Sequence, residues 1–223
     1  MRSAERRILR DGVAIGVAVG VIGASFGVLA RTAGIDPLMA CAMSALIFTG
    51  GSQFLAVTVV ASGGGILAAV IGGLLLSARH IPFGLSLAPV LRGSLAKRLL
   101  SSQLVIDEST AFALSQPTPE LGRRAFYTVG ITLFCCWQAG TALGAFAGGV
   151  IGDPAAMGID AAFPAGLLAL MTPRLRHPDA RVAALTGAGL ALAATPLLPA
   201  GAPILLAGLG VFAGLAIRRD GGR

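Results

Sequence analysis

Residues 37–78 read PLMACAMSALIFTGGSQFLAVTVVASGGGILAAVIGGLLLSA, a run of 42 residues without one charged side chain. One helical crossing of a bilayer needs about 20 apolar residues, so this stretch is long enough for two crossings. A soluble protein would have to bury the whole run, and a chain of 223 residues is too small to build such a core. The sequence therefore predicts a protein that folds inside a membrane.

The remaining composition agrees with this prediction. The mean hydropathy is +0.84, 55% of the residues are hydrophobic and only 12% are charged. These numbers and the charge-free runs predict an all-α polytopic helix bundle that forms one integral membrane domain over 1–223. Its first half would cover about 12–91, an interfacial linker about 92–124 and its second half about 125–217. The seven predicted hydrophobic segments lie at about residues 12–31, 37–60, 64–91, 125–151, 154–173, 181–198 and 200–217.

The net charge of +7 indicates topology rather than nucleic acid binding. A nucleic-acid binder gathers its cations on one exposed face with aromatic residues nearby, whereas cytoplasmic membrane loops carry them at the ends of spans. Placing all four clusters of basic residues in the cytoplasm puts the N-terminus inside and requires an even number of crossings between residues 11 and 92. The clusters are Arg2, Arg6, Arg7 and Arg10; Arg92, Lys97, Arg98, Arg123 and Arg124; Arg174, Arg176 and Arg181; and Arg218, Arg219 and Arg223.

The segment 64–91 is interrupted by Arg79 and His80, with Pro82 close behind. Proline removes a backbone donor and disfavours helical geometry at the residue before it. An even crossing number slightly favours a re-entrant pair of half-helices broken near 79–82, and the alternative is a kinked full span. The charged segment 92–124 carries a stripe of leucines, which predicts a helix lying at the membrane interface.

Glycine spacing and a short repeat predict how the helices are arranged. The tripeptide Gly34-Ile35-Asp36 recurs as Gly158-Ile159-Asp160 before another apolar segment, which indicates an internal repeat. Duplicated halves with interrupted helices are typical of transporters. Small residues four apart let membrane helices pack closely, within the bundle or against a partner subunit. Such pairs are Gly16 and Gly20, Gly23 and Gly27, Gly140, Gly144 and Gly148, and Gly210 and Gly214.

Charged residues at membrane depth are candidates for function, because a charge there costs about 2.5–3.5 kcal/mol on insertion scales. Arg79 would bind a carboxylate or simply snorkel to the interface, and His80 would carry a proton. Asp160 would hold an ammonium group or a proton, or else cap a helix. The pair Asp107 and Glu108 are coupling or gating candidates, and solvated acids are the alternative.

Gly50 and Gly51 lie in mid-span beside the polar residues Thr49, Ser52 and Gln53. Each glycine weakens a helix by about 1 kcal/mol, and irregular backbone at membrane depth is tolerated where it is buried or lines a cavity. This stretch therefore predicts a cavity, with ordinary helix packing as the alternative.

No catalytic, metal or cofactor site is predicted, so the chain is not expected to be an enzyme. The stretch 23–27, GASFG, matches the nucleophile elbow formally, but it lies inside an apolar helix rather than at a strand-to-helix turn. Cys41, Cys135 and Cys136 have no metal-ligand spacing and fall inside apolar runs.

Several of these segments, taken in order, resemble the AzlC family, the large subunit of bacterial branched-chain amino acid exporters. The matching residues are Met43-Ser44 and 48–54 (FTGGSQF), Arg79-His80, Asp107-Glu108 with Phe112-Ala113-Leu114, Trp137 with Gly140-Thr141 and Gly144, and 158–164 (GIDAAFP). The resemblance implies proton-coupled export of leucine, isoleucine, valine and methionine across the bacterial inner membrane. It also implies a small membrane subunit of the AzlD type as partner.

This reading gives each candidate residue a role in amino acid export. Arg79 takes the carboxylate, Asp160 the ammonium group or the coupling proton, and His80 lies on the same path. The path and the pocket are shaped by Gly50, Gly51, Gln53, Trp137 and Thr141. The alternatives are a transporter or channel for another small solute, and a membrane subunit that scaffolds a partner without transport.

Overall fold

The structure is a computed structural model that describes residues 2–149, 165, 168, 171–172, 174–198 and 202–220. Within these ranges the regular elements are helical, which confirms the predicted fold class. The helices are α1 (Arg2–Thr32), α2 (Pro37–Leu46), α3 (Gly51–Ala61), α4 (Ile66–Ser77), α5 (His80–Leu87), α6 (Leu95–Ser102), α7 (Asp107–Leu114), α8 (Pro119–Ala147), α9 (Pro178–Ala194), α10 (Ala202–Ala207) and α11 (Gly210–Asp220), with a 3₁₀ turn at Arg174–Arg176.

Local sequence explains where several helices begin. Asp36 caps α2, its side chain accepting from the backbone N–H groups of Leu38 and Met39, and Pro37 occupies the first turn. Thr118 caps α8 in the same way, again with a proline next. Short polar side chains satisfy N–H groups that have no partner inside the helix, and proline fits there because it has no N–H to lose.

Among the residues that the structure describes, three stretches are long and apolar enough to cross a membrane, namely Ala4–Thr32, Ile66–Leu87 and Pro119–Ala147. The middle one combines α4 and α5. Ala78 and Arg79 interrupt it, yet both keep right-handed helical dihedrals. Because Pro82 has no N–H, the carbonyl of Ala78 is bonded by Ile81 instead, at 3.1 Å, which tightens one turn. The predicted break is confirmed, but the chain runs on as a kinked helix, so the re-entrant form is wrong for this segment.

The helices α1 and α8 run parallel in close contact. A Cβ built on Gly12 would meet Val129, one on Gly16 would meet Cys136, and one on Gly148 would meet Val28, so the contacts advance together along both helices. The predicted glycine packing is confirmed here, and also where Gly210 of α11 faces α9. Both α1 and α8 begin at one end of the bundle, called the basic end, where Arg6, Arg7, Arg10, Arg123 and Arg124 lie. The chain therefore crosses an even number of times between their starts, as the charges require.

The helix α5 leads back to the basic end. Leu87 at its C-terminus is fully buried in a cluster with Phe126, near the start of α8. The continuous α4–α5 helix therefore descends towards the basic end, and α4 lies nearer the opposite end. Next to α4, Gly51 faces Leu76 and Gly72 faces Leu55, so α3 runs antiparallel to α4 and away from the basic end.

The helix α2 runs in the opposite direction to α3. The side chain of Gln138 donates from Nε2 to the carbonyl of Ser44 at 3.2 Å, and Phe48 packs edge-on against Phe134 at 5.1 Å. The helix α2 therefore runs antiparallel to α8, towards the basic end. The helices α2 and α3 therefore form a re-entrant hairpin that enters from the end opposite the basic end and turns at residues 47–50. We call it the first hairpin.

A second hairpin, α6–α7, enters from the basic end. The hydroxyl groups of Ser101 and Tyr127 lie 2.6 Å apart, and a Cβ built on Gly130 would meet Leu104. The helix α6 therefore runs parallel to α8, away from the basic end. The chain turns at residues 103–106, and α7 descends until Ala113 faces Gly122. The segment predicted to lie along the interface thus reaches into the bundle. Its leucine stripe is the exposed face of α6, formed by Leu95, Leu99 and Leu100.

Two minor features of the sequence lie within the described residues. The Ser25 hydroxyl donates to the carbonyl of Val21 at 3.3 Å inside α1, so the GASFG match is helical rather than an elbow. Cys41, Cys135 and Cys136 are all unbridged. The second copy of the repeat, at 158–160, and most of the predicted span 154–173 lie outside the described residues, so the internal repeat stays a prediction.

Candidate functional site

Three helix interruptions meet at one place in the bundle. Nη2 of Arg79, at the kink, donates to the carbonyl oxygen of Thr49 at the turn of the first hairpin, at 3.3 Å. The same nitrogen lies 3.2 Å from Oδ2 of Asp107, which begins α7 in the second hairpin. The two hairpin turns also touch directly, because Nε2 of Gln103 donates to the carbonyl of Ala45 at 2.7 Å. We call this meeting point, formed by residues 45–50, 78–80 and 103–107, the junction.

Glycines make room for the turn of the first hairpin. Gly50 adopts φ +61° and ψ −85°, a conformation that side chains oppose, and this lets the backbone reverse between α2 and α3. A Cβ on Gly51 would lie 3.8 Å from Nη2 of Arg79 and 3.2 Å from Leu76, so the missing side chain leaves space for the guanidinium. The irregular backbone predicted at Gly50 and Gly51 is therefore present, and the guanidinium of Arg79 lies against the start of α3.

Behind this turn lies an aromatic cluster. Trp137 of α8 packs against Phe26 and Phe54 with ring centroids 6.0 and 6.3 Å away, and its ring edge lies 3.7 Å from the Cβ position of Gly50. Gln53 is fully buried and its Oε1 accepts from the N–H of Gly50 at 3.1 Å, which closes the turn. These contacts hold the shape of the hairpin turn.

The described part of the chain has six buried side-chain polar atoms without a hydrogen-bond partner, and all lie at or beside the junction. Such atoms cost about 1–3 kcal/mol each when they stay unpaired, so their grouping needs an explanation. Three of the atoms belong to Thr49, Arg79 and His80 of the junction itself, where a polar ligand would supply partners. The atoms are Thr49 Oγ1, Gln53 Nε2, Arg79 Nε, His80 Nε2, Thr110 Oγ1 and Trp137 Nε1.

Two open cavities border the junction, and the neighbours Arg79 and His80 line different ones. The larger, of about 710 Å³, lies towards the basic end and contains Arg79, Asp107 and Glu108 in its wall. The remaining wall residues are Pro82, Phe83, Ala111, Met171, Arg174, Leu175 and Ala180. The smaller, of about 350 Å³, contains His80 together with Thr49, Ser77 and Gln103. The Nδ1 of His80 lies 2.8 Å from the carbonyl of Ser77, which fixes the ring.

The carboxylates of α7 differ in their surroundings. Asp107 pairs with Arg79, and the two side chains are 39% and 32% exposed. Glu108 follows it in the first turn of α7, which is not one of the three spanning helices. Burial raises the pKa of Glu108 above its ordinary value and the neighbouring Asp107 charge adds to this, while its backbone hydrogen bond and Arg79 act in the opposite direction. Glu108 therefore holds a proton more readily than an exposed glutamate.

The structure brings most of the predicted site residues together. Gly50, Gly51 and Arg79 meet directly at the junction, and Trp137 contacts the same turn. Thr141 instead lies 3.2 Å from the Ser44 hydroxyl and joins α8 to α2 without lining either cavity. Asp160 lies outside the described residues, and its role stays a prediction.

Sequence reasoning missed Gln103 and Thr110 as members of this site. Gln103 joins the two hairpins, and Thr110 has a buried hydroxyl without a partner. Both fall in the charged segment that was assigned to the membrane interface. The sequence feature that could have revealed this part of the site is Gln103, an uncharged polar residue between two short helical stretches.

A family model described as "AzlC protein" matches residues 14–151, more than half of the chain. A relative from Archaeoglobus fulgidus, called "Uncharacterized membrane protein", is 33% identical over 76% of this chain and 74% of its own length. The "Branched-chain amino acid transport protein AzlC" of Bacillus subtilis is 26% identical over 86% of this chain and 77% of its own.

A third relative, "Inner membrane protein YgaZ" of Escherichia coli, is 28% identical over 62% of this chain and 59% of its own length. No solved structure matches the chain. The matched family region covers α1 from residue 14 onwards and the whole of α2 to α8, and therefore the whole junction.

Proposed function

The chain belongs to the AzlC family, and we propose that it exports the branched-chain amino acids leucine, isoleucine and valine, and also methionine, across the bacterial inner membrane. One observation carries the proposal. Arg79, at the kink of α4–α5, meets Asp107, at the turn of the second hairpin, beside a cavity whose wall includes apolar side chains. Substrate sites of many transporters lie near the bilayer midplane between broken helices.

The chemistry of the junction suits an amino acid with an apolar side chain. Such a substrate needs an anion site, a cation site and an apolar pocket. Arg79 and the N-terminal end of α3 would take the carboxylate, because guanidinium groups and unpaired helix N–H groups both favour anions. Pro82, Phe83 and Leu175 offer apolar contacts for the side chain. Asp160 remains our candidate for the coupling proton or the ammonium group.

A small partner subunit of the AzlD type is part of the proposal. Only 11% of the most hydrophobic stretch of the α4–α5 span is buried, compared with 39% of the corresponding stretch in α1 and 44% in α8. This span carries Arg79, yet it presents Leu74, Leu75 and Leu85 outwards. A partner helix packed there would enclose the span that carries the arginine. The basic end would face the cytoplasm, in agreement with the usual excess of Lys and Arg on that side.

The test is efflux of leucine from cells loaded with a leucine dipeptide, with the chain expressed alone and together with the product of its chromosomal neighbour. Efflux above the vector control supports the proposal, and a need for both chains supports the partner. Arg79→Ala should abolish efflux, while Arg98→Ala, which removes an exposed arginine from α6, should not. Membrane levels of each variant are measured by immunoblot.

Two results would contradict the proposal at different points. If none of the four amino acids leaves the cells while both chains are in the membrane, the substrate assignment is wrong. If Arg79→Ala and Asp160→Asn both export leucine normally at normal expression, the substrate assignment stands and the roles of these residues are wrong.

A further inference from the structure

The Arg79–Asp107 ion pair occupies the position where the proposed function places the substrate. The two charged groups come from different elements, the kink and the first turn of α7, and Nη2 and Oδ2 lie 3.2 Å apart. Both line the larger cavity, so a ligand in that cavity reaches the arginine and the aspartate together. A ligand that binds Arg79 therefore competes with Asp107.

The charge balance limits which ligands can separate this pair. Both side chains are about two-thirds buried, and a charge left without a partner in such a place is costly. A monocarboxylate would take Arg79 and leave Asp107 alone. A monoamine would take Asp107 and leave Arg79 alone. A zwitterion replaces one internal pair by two pairs with the ligand, so no charge is left unpaired.

We infer that the substrate inserts between Arg79 and Asp107, with its carboxylate on Arg79 and its ammonium group on Asp107. This inference rests on the proposed function. The ion pair then selects for zwitterionic amino acids, and the cavity wall of Pro82, Phe83 and Leu175 receives the side chain. This gives Asp107 a defined binding role and leaves Asp160 to the coupling proton.

The other two charged residues of the cavity wall do not disturb this balance. Glu108 follows Asp107 in the first turn of α7 and forms no ion pair with Arg79 among the described contacts, so the arginine is paired with Asp107. Arg174 is exposed to solvent at the rim, where water and salt screen its charge. Arg79 and Asp107 are the two charges of the wall that pair with each other directly.

The experiment uses the full chain, purified in lipid nanodiscs together with its partner where efflux requires one. Bound radiolabelled leucine is displaced by unlabelled leucine, by 4-methylpentanoate, which is leucine without its amino group, and by 3-methylbutylamine, which is leucine without its carboxylate. We expect both analogues to compete at least tenfold more weakly than leucine, equivalent to about 1.4 kcal/mol.

Asp107→Asn should change this order in one direction. Arg79 then has no internal anion to lose, so 4-methylpentanoate should gain at least tenfold relative to leucine. Asp107→Glu keeps the charge and should keep the preference for leucine. Asp11→Asn is the matched control, because it neutralises an aspartate of α1 that is as exposed as Asp107 and pairs with its neighbour Arg10, far from the junction.

The outcomes separate this inference from the proposed function. If leucine neither binds nor leaves cells, the proposed function is wrong and the inference is wrong with it. If leucine is exported but 4-methylpentanoate competes equally well in the unaltered protein, only the inference is overturned. An unchanged ratio between the two ligands in Asp107→Asn overturns it as well, and a variant that does not fold leaves the comparison in the unaltered protein decisive.

Discussion

Gly144 of α8 has no room for a side chain, and this makes the α1–α8 contact a quantitative test of the fold. A Cβ there would lie 2.8 Å from the carbonyl carbon of Ala24 and 3.0 Å from its Cα, and closer still to its carbonyl oxygen. Ordinary contacts begin near 3.4 Å, so the carbonyl carbon alone requires the two backbones to separate by 0.6 Å, and the nearer carbonyl oxygen requires more. No flexible side chain is available to move instead.

We expect Gly144→Ala to cost about 1–3 kcal/mol, the usual range for overpacking. The matched control is Gly189→Ala in α9, where an added Cβ meets nothing within 4 Å. Alanine raises helix propensity by about 1 kcal/mol at both positions, so the difference between the two variants isolates the helix contact. In a protein of this size about 2 kcal/mol corresponds to a melting temperature roughly 4–8 °C lower.

The assay is thermal unfolding of both purified variants in the same detergent, followed by tryptophan fluorescence, since Trp137 lies in this helix. Gly144→Ala should melt well below Gly189→Ala. If the two variants melt within 1 °C of each other, α1 and α8 do not pack backbone against backbone, and the parallel arrangement derived from these contacts is refuted.

The remaining predictions concern the hairpins and their ends. Asp36→Ala should lower the stability by about 1 kcal/mol through loss of the α2 cap, seen as a lower melting temperature, whereas Asp36→Asn should keep most of it. Gly50→Ala forces a side chain into a glycine conformation, at about 1–3 kcal/mol, and should reduce leucine efflux more than expression; equal efflux per expressed protein would contradict this. Ser101→Ala and Tyr127→Phe should each cost about 1 kcal/mol, and the double variant less than their sum, because one hydroxyl pair is lost in both; full additivity would argue against α6 climbing along α8. Burial raises the pKa of Glu108 in the folded protein, so ionised Glu108 opposes folding once the pH exceeds the pKa of this group in the unfolded chain. Glu108→Gln should therefore raise the melting temperature more at pH 8 than at pH 5. The reverse order would contradict the burial of Glu108.

The membrane fold and the break at Gly50 could be predicted because each depends on a local property of the chain. An uncharged run of 42 residues has few options besides lipid, and paired glycines beside polar residues weaken a helix wherever they lie. Arg79 could be singled out for a similar reason, since a charge in a span is costly. The contacts between these residues depend on chain segments far apart in the sequence.

The choice of re-entrant segment could not be made from the sequence. Charge distribution fixes only whether the number of crossings is even, and either 37–60 or 64–91 satisfies this by turning back. Pro82 favoured the second segment, but the helix absorbs the missing donor by one tightened turn at Ile81. Gly50 reverses the chain because its positive φ is open to glycine. The second hairpin was hidden because the charges of 92–124 are typical of a surface helix.

The junction also suggests how binding can be linked to movement. Three polar contacts tie the two hairpins and the kink together, from Arg79 to Thr49, from Arg79 to Asp107 and from Gln103 to Ala45. Two of the three use the same guanidinium nitrogen. A ligand can shift a conformational equilibrium only by binding the two states differently, and a substrate that takes Arg79 does so because it replaces contacts that hold the hairpins together. The first hairpin enters from one end of the bundle and the second from the other. Under the proposed function, loosening their shared arginine would free each hairpin to move towards its own end, which is the geometry that alternating access to a central site requires.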